Sequence, residues 1–534
     1  MTAATPPPAV SAEAGGRTQR LSILLAMAMF VLVVDTSLMN VSISAVVRDL
    51  NTTVSGVQSA IALEALVSAA FILIGSKVGD LIGRKKAYVL GLLAYALGAL
   101  SMVLAQSLTP IIIFWAVIGG LGASLLLPAM QSLIHGNFDG PARKKAYAMV
   151  GAAAAVAAAV GPLLGGFITT YLSWRVAFLF EVAVIAIVLS GIRLVRDAPY
   201  TGSREVDVVG GVLSVIGMGG IVLGILVWQE GGESVAALIV LGAVTLGGFV
   251  VWLRRRKRAG KATLLDPDLF RLPLFKAGVT GQGLQQVALG GMMIALPIYL
   301  QMVLEYNAME AGLSLAPLSL SMFALALLAG RKGGQRRPSS VVRAGFALLA
   351  VGVLAVIALV PRADTGWSLV IPLAVAGSGL GLLVSQLNNY TLSPIEDERV
   401  SEAAGVNSAA GSFGLSFGLA FAGAIMLATL SITFTAMAKD SDVLAPAQQQ
   451  HVADVLEDDA QVLSTTQLEE LLDEQPPAVS DEIIRINEDA RPRALQVALL
   501  VPLIAALLGL LNGFRMGRLP DPAPSEAAEG VLGG

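Results

Sequence analysis

Cysteine is absent from the 534 residues, histidine occurs only as His135 and His451, and charged residues make up 14%. The first absence excludes disulfides, iron–sulfur clusters, thiolate zinc sites and cysteine nucleophiles, and leaves the redox compartment unreadable. Two isolated histidines argue against a histidine-rich metal centre, so no metal site is expected. Soluble domains carry roughly a quarter charged residues. The low charge, with 55% hydrophobic residues and a mean hydropathy of +0.76, therefore marks a membrane protein. No nucleotide-binding loop, catalytic triad or cofactor motif is visible. The chain is read as a non-enzyme without a cofactor, and any work it does must draw on an ion gradient.

Residues 1–20 are rich in proline, alanine and serine, and an apolar run starts at Leu21 and continues past twenty residues. A signal peptide has a shorter apolar region, whereas 21–45 is long enough to cross about 30 Å of hydrocarbon. The run is therefore read as a first span. The same length test marks spans at 57–76, 87–106, 109–131, 146–170 and 176–194, then 208–228 and 235–253, then 276–303, 311–329, 341–360, 368–392, 403–434 and 494–514. An all-α polytopic membrane protein of fourteen spans is expected, surrounded by the lipid bilayer.

Alternate loops differ sharply in charge. Short loops on the cytoplasmic side hold lysine and arginine, and with a cytoplasmic N-terminus that side collects 28 of the 35 basic residues. They include Arg84 to Lys86, Arg143 to Lys145, Arg254 to Arg258, and Arg331, Lys332, Arg336 and Arg337. Only Arg48, Arg175, Arg362, Lys439, Arg485, Arg491 and Arg493 fall outside. The asymmetry predicts an even number of spans, both termini cytoplasmic and an inner-membrane location. The basic clusters are read as orientation signals, so no nucleic-acid partner is expected.

The outer segment 438–493 is acidic, with Asp454, Glu457, Asp458, Asp459, Glu469, Glu470, Asp473 and Glu474 beside short apolar stripes. Spacings of three and four predict amphipathic helices. Ser464 with Gln467 resembles a capping box, Pro476 and Pro477 break the helix that follows it, and Ser480 caps another over 481–489. A small helical cap is expected, with disorder as the alternative.

Few charges lie inside spans. An ionised side chain near the bilayer centre costs several kcal/mol, so an unpaired carboxylate there holds a proton when dry and releases it when wet. Asp35 in span one and Glu64 in span two have no lysine or arginine partner in the sequence around them. Glu181, near the outer start of span six, is a third candidate or simply reaches the interface.

At Ser76-Lys77-Val78-Gly79-Asp80-Leu81-Ile82-Gly83-Arg84-Lys85-Lys86 the chain resembles the loop between helices two and three of the major facilitator superfamily. Gly79, Asp80, Gly83, Arg84 and Lys85 match its Gly-x-Leu-Ala/Gly-Asp-Arg-x-Gly-Arg-Arg/Lys pattern, whereas Ser76 and Leu81 depart from it. Gly161-Pro162-Leu163-Leu164-Gly165-Gly166 resembles the Gly-Pro-x-x-Gly-Gly motif of its antiporters. Trp174-Arg175-Val176-Ala177-Phe178 resembles its opening of helix six, with Glu181 where exporters usually have asparagine. Asp35-Thr36-Ser37-Leu38-Met39-Asn40-Val41 resembles span one of the fourteen-helix drug:proton antiporters. Further matches are Tyr299-Leu300-Gln301, Glu310-Ala311-Gly312-Leu313 with Pro317, and Gly330-Arg331-Lys332-Gly333-Gly334.

The resemblance implies two six-helix bundles plus two inserted helices. The expected parts are an N-terminal tail 1–20, a bundle 21–195, an inserted pair 205–255, a bundle 270–514 that includes the acidic segment, and a tail 515–534. It also implies a monomeric carrier that exports small, hydrophobic or cationic compounds against protons by alternating access, in the multidrug efflux manner. Gly79, Asp80, Gly83, Arg84 and Lys85 are the implied latch of the outward-open state. Candidate substrate-binding residues are Met39, Asn40, Gln282, Gln285, Gln286, Met292, Met293, Gln386, Asn388 and Asn389, because thioether and amide side chains suit varied ligands. One departure stands out: Ala116 and Gly119 occupy the arginine and glutamine positions of the family's Arg-x-x-Gln-Gly-x-Gly in span four. Proton loading then rests on the carboxylates alone, and a different coupling ion or lost coupling stays open. The alternatives are export of an endogenous lipid, peptide or metabolite, and a membrane sensor or assembly factor that moves nothing.

Overall fold

The computed structural model describes residues 12–138, 140–197, 205, 207–229, 234–331, 337–363, 365–395, 399–444, 468, 472 and 476–520. No strand occurs among them, and fourteen helices are long and apolar enough to cross a bilayer. These are α1 Arg17–Val41, α2 Val54–Ile82, α3 Arg84–Leu104, α4 Leu108–Ile134, α5 Lys145–Tyr171, α6 Trp174–Leu194, α7 Val208–Trp228, α8 Val235–Arg258, α9 Pro273–Val303, α10 Ala308–Ala329, α11 Pro338–Arg362, α12 Gly366–Leu392, α13 Glu402–Lys439 and α14 Pro477–Met516. Within hydrocarbon every backbone N–H and C=O must be paired inside its own segment, which is why the apolar runs all take this form.

The pairing of the helices repeats. In the first six, α1 packs on α5 and α6, α2 on α4, and α3 on α4 and α6. Eight spans later the pattern recurs: α9 packs on α13 and α14, α10 on α12, and α11 on α12 and α14. The chain thus forms two six-helix bundles. The inserted α7 and α8 pack on each other, and α7 leans on α2 and α13, one helix from each bundle. At the basic end Lys257 pairs with Asp266 and Asp268, and Arg399 reaches Asp266 at 2.6 Å, which ties α8 to the start of α13.

The segment Ser76 to Lys86 is not a loop. Helix α2 runs unbroken to Ile82, α3 opens at Arg84, and Gly83 alone separates them with φ 101° and ψ 134°. Polar residues such as Lys77 and Asp80 carry the helix past the hydrocarbon, since loss of apolarity does not end a helix. Only a residue without a Cβ takes this backbone freely, and an added Cβ would also lie 2.6 Å from Asp197 Oδ2. Gly83→Ala is expected to destabilise the fold by about 1–3 kcal/mol. Its melting temperature in detergent should fall clearly below that of Gly79→Ala, whose added methyl meets only Ala87, at 3.4 Å.

The acidic segment also needs correction where it is described. Pro476 and Pro477 stand at the opening of a helix, with Pro477 in its first turn, where a fixed φ is favourable, and the helix they were expected to break lies mostly outside the described residues. Ser480 lies inside that helix, one turn in, and does not cap it. The helix continues past Pro492 into the last span, so 494–514 is only part of a 40-residue α14. With α13 at 38 residues, both helices are near 60 Å long at about 1.5 Å per residue. Their excess stands beyond the end where α1 finishes, above the point where Arg491 Nη1 donates to the Met302 carbonyl at 2.6 Å. There Phe434, Ala438, Ile483, Ile486 and Ala490 are buried in one cluster. Ser464, Gln467, Asp454, Glu457, Asp458, Asp459, Glu469, Glu470, Asp473 and Glu474 lie outside the described residues.

Candidate functional site

Asp35 sits six residues before the end of α1, 1% exposed, in a helix whose Val31, Val34 and Leu38 are likewise buried. Two aromatic donors hold its carboxylate. Tyr95 on α3 donates its hydroxyl to Oδ2 in a short bond, and Trp115 on α4 donates Nε1 to Oδ1 and Oδ2 at 3.2 and 3.1 Å. Helix α3 approaches the Trp115 backbone closely because residue 98 is glycine; a Cβ there would lie 3.3 Å from the Trp115 Cα. Trp115 belongs to a π-helical stretch, Ile111–Gly119. Single π segments cluster at functional sites, and the extra residue turns the helix so that Trp115 presents its N–H to Asp35.

Two further carboxylates come to the same place. Glu64 on α2 and Glu181 on α6 are each near enough to feel the charge of Asp35. Glu181 does not reach the interface. It is fully buried, and neither of its carboxylate oxygens has a hydrogen-bond partner among the described residues. The reason is its helical face: Trp174, Ala177, Phe178 and Glu181 all point inward, and Phe178 packs edge-on against Trp115 at 6.4 Å. Ala116, where an arginine was expected, is buried and apolar. Tyr95 and Trp115 were not singled out in the sequence, although an aromatic with a polar tip in mid-span was a usable signal.

The segment Gly161 to Gly166 on α5 has two faces. A Cβ at Gly161 would lie 2.6 Å from that of Ser37, and one at Gly165 would lie 2.7 Å from a Val41 methyl, so these glycines seat α5 on α1. Gly166 and Pro162 face the other bundle instead. A Cβ at Gly166 would come 2.9 Å from Met309 Cα, and one at Gly312 would collide with the Pro162 carbonyl. Small residues let backbones meet this closely in a bilayer. Nearby, Ser44 Oγ donates to Gln301 Oε1 at 2.7 Å, and Met309 N donates to Thr170 Oγ1 at 2.9 Å. The α5–α10 contact therefore lies at the end where α1 finishes. Farther along α5 a Cβ at Gly151 would meet no atom of the described residues within 4 Å.

The sequence profile of the Major Facilitator Superfamily matches residues 25–419. The chain belongs to the Major Facilitator Superfamily. Among its relatives, the probable actinorhodin transporter of Streptomyces coelicolor is 28% identical over 451 residues, covering 82% of this chain and 76% of that one. Multidrug resistance protein Stp of Mycobacterium tuberculosis is 26% identical over 449 residues, covering 83% and 82%. A bacterial homologue of the human lysosomal transporter Spinster, solved inward-facing and unoccupied, shares the fold with a TM-score of 0.63 at 12% identity, over 94% of this chain and 98% of that one.

In this member of the superfamily, Asp80 and Arg84 pair with each other across Gly83 at 3.4 Å. Lys85 donates its backbone N–H to Asp197 at 3.1 Å and its Nζ to the Val195 carbonyl at 2.8 Å. The described bonds of Asp80, Arg84 and Lys85 stay within the first bundle, and Gly79 lies against Ala87 of α3. Trp174 and Arg175 clamp Asp49 at the opposite end. Trp174 Nε1 donates to it at 3.1 Å, Arg175 pairs with it closely, and Arg175 Nη2 also reaches the Ala105 carbonyl at 2.6 Å.

The substrate candidates are spread over α1, α9 and α12, with Met39 and Met292 in one apolar cluster and Met293 packed against it. Met39 and Asn40 are buried at the far end of α1, where Gln301 Nε2 donates to the Asn40 carbonyl at 3.4 Å and the Asn40 amide has no partner. Gln282 and Gln286 on α9 point to α13 beside Gly411, while Gln285 is buried with an unpartnered Oε1. Met292 is buried and Met293 partly so. On α12, Gln386 is buried, Asn389 partly buried, and the exposed Asn388 accepts from Asn407 at 3.1 Å. Gln58 on α2 was missed; it is buried with both amide atoms unpartnered. Buried amides are normally satisfied, and Asn40, Gln58 and Gln285 each keep at least one amide atom without a hydrogen-bond partner among the described residues.

Proposed function

We propose that this superfamily member is a secondary active exporter that moves small hydrophobic or cationic molecules outward and protons inward. The observation that carries the reading is the meeting of Asp35, Glu64 and Glu181 in the interior of the first bundle, with no lysine or arginine among the described hydrogen-bond or ion-pair partners of Asp35. Asp35 and Glu181 are buried and Glu64 partly so, and buried carboxylates without a cation favour the protonated form, so the group takes up protons. Asp35, Glu64 and Glu181 are its coupling residues. The domain bounds 21–195, 205–255 and 270–514, the cytoplasmic termini, the monomeric state, the inner-membrane setting and the latch role of Gly79, Asp80, Gly83, Arg84 and Lys85 belong to the same reading.

The bundles meet through α5 and α10 where α1 finishes and also through α2 and α13, where Ser416 Oγ donates to the Ala62 carbonyl at 2.7 Å; in the proposed alternating-access cycle the cytoplasmic opening lies at the basic end. Substrate enters there and is released on the opposite side, with protons loading the carboxylates in between. Kinship to Stp, a multidrug resistance protein, supports export of foreign compounds. Kinship to an actinorhodin transporter supports a second reading, export of an endogenous metabolite by the same cycle. Purified protein in vesicles tests both: lipophilic cationic dyes should drive proton movement under an imposed proton gradient. Absence of flux for dyes, antibiotics and lipids alike would leave a sensor or assembly role.

A further inference from the structure

The carboxylate cluster leaves one question of chemistry, namely what holds a charged Asp35 when no cation stands beside it. Its hydrogen-bond partners among the described residues are Tyr95 and Trp115, both buried and both neutral donors. The other titratable groups that face it are Glu64 from α2 and Glu181 from α6, which both oppose its charge. Helix α5, packed on the next turn of α1, brings Gly161 against Ser37 and Val34 and Gly165 against Leu38 and Val41, with no titratable group in that contact among the described residues. We infer that Tyr95 and Trp115 are positioning residues that hold the ionised form of Asp35, taking by hydrogen bonding the part that a span-four cation would take by charge.

The geometry fits that part. The bonds reach Asp35 from two helices: the indole N–H lies within 3.2 Å of both oxygens, and the phenol takes Oδ2. Charge-assisted bonds of this kind are stronger than neutral ones and form only while the carboxylate is ionised. Trp115 directly precedes Ala116, and the π-helical register turns its N–H toward α1. Protonation of Asp35 weakens both bonds, so proton uptake loosens the tie from α1 to the side chains of α3 and α4. This rests on the coupling role proposed for Asp35.

Infrared spectroscopy tests it on the full-length protein without transport. The Asp35 carboxyl band, isolated by subtraction of the Asp35→Asn spectrum, is followed against pH in the parent, Tyr95→Phe, Trp115→Phe and Trp115→Arg proteins. Losing one donor weakens the hold on the ionised form, so the midpoint should move to higher pH by about one unit. Trp115→Arg should move it back down. Tyr95→Phe removes one oxygen and keeps the ring, so it covers the case in which Trp115→Phe does not fold. Unchanged midpoints in both phenylalanine variants would overturn the inference, because mere packing residues leave the midpoint in place. Donor-dependent midpoints in a protein that shows no proton-coupled flux would uphold the clamp and reject the coupling role. Coupled flux with donor-independent midpoints would do the reverse.

Discussion

Asp35→Asn is expected to abolish proton-driven export, by roughly a hundredfold or more, as for loss of a group that must carry the proton. The substitution keeps size and shape. Its amide oxygen still accepts from Trp115, and its NH2 can donate to the Tyr95 oxygen, so the fold should survive. What disappears is the proton. Asp35 is placed to matter more than its two neighbours because, of the three, it carries the hydrogen bonds found to neighbouring helices among the described residues. It also lies two residues from Ser37, against which Gly161 of α5 packs, while Pro162 of the same helix meets Gly312 of α10. A change in charge at Asp35 is thus felt one helix away from the contact between bundles. The measurement is export into vesicles with and without a proton gradient. Loss of the gradient response with dye binding retained is the expected result, and export at full rate would remove Asp35 from the coupling mechanism.

Gly312→Leu is expected to trap the carrier with its α5–α10 contact open. Any Cβ at this position runs into the Pro162 carbonyl, with the Pro162 carbonyl carbon at 3.0 Å, and backbone cannot step aside as a side chain can. Overpacking costs about 1–3 kcal/mol or more, and each 1.4 kcal/mol is about tenfold in population. The closed arrangement should therefore fall by roughly ten- to a hundredfold, and turnover with it. The absence of native cysteine makes the check direct. Ser44→Cys is buried at this end, so an impermeant maleimide should label it slowly in the parent and rapidly with Gly312→Leu. Gly151→Leu, placed where no neighbour lies within 4 Å, should leave both transport and labelling near those of the parent. Equal labelling in all three would show that α5 and α10 do not form the closing contact.

All fourteen spans were legible in the sequence because a bilayer makes one demand, a run of apolar residues of sufficient length, and that demand is local. Helix ends were less legible. The turn at Gly83 and the start at Pro477 depend on a single residue's φ, and polar residues can extend a helix beyond the hydrocarbon without any apolar signal. Asp35 and Glu64 could be found as charges out of place. Glu181 could be found but not placed, since its position along α6 says nothing about which face of the helix is covered. Tyr95 and Trp115 offered only the weak signal of an aromatic with a polar tip in mid-span, because their significance arises where they reach Asp35 from α3 and α4. Composition and periodicity determined by themselves that this protein is a bundle of membrane helices with misplaced carboxylates. Tertiary structure decided that Asp35 and Glu181, drawn from helices far apart in the chain, are buried in one bundle with two neutral donors while Glu64 is only partly covered, because proximity across helices is set by packing and not by spacing.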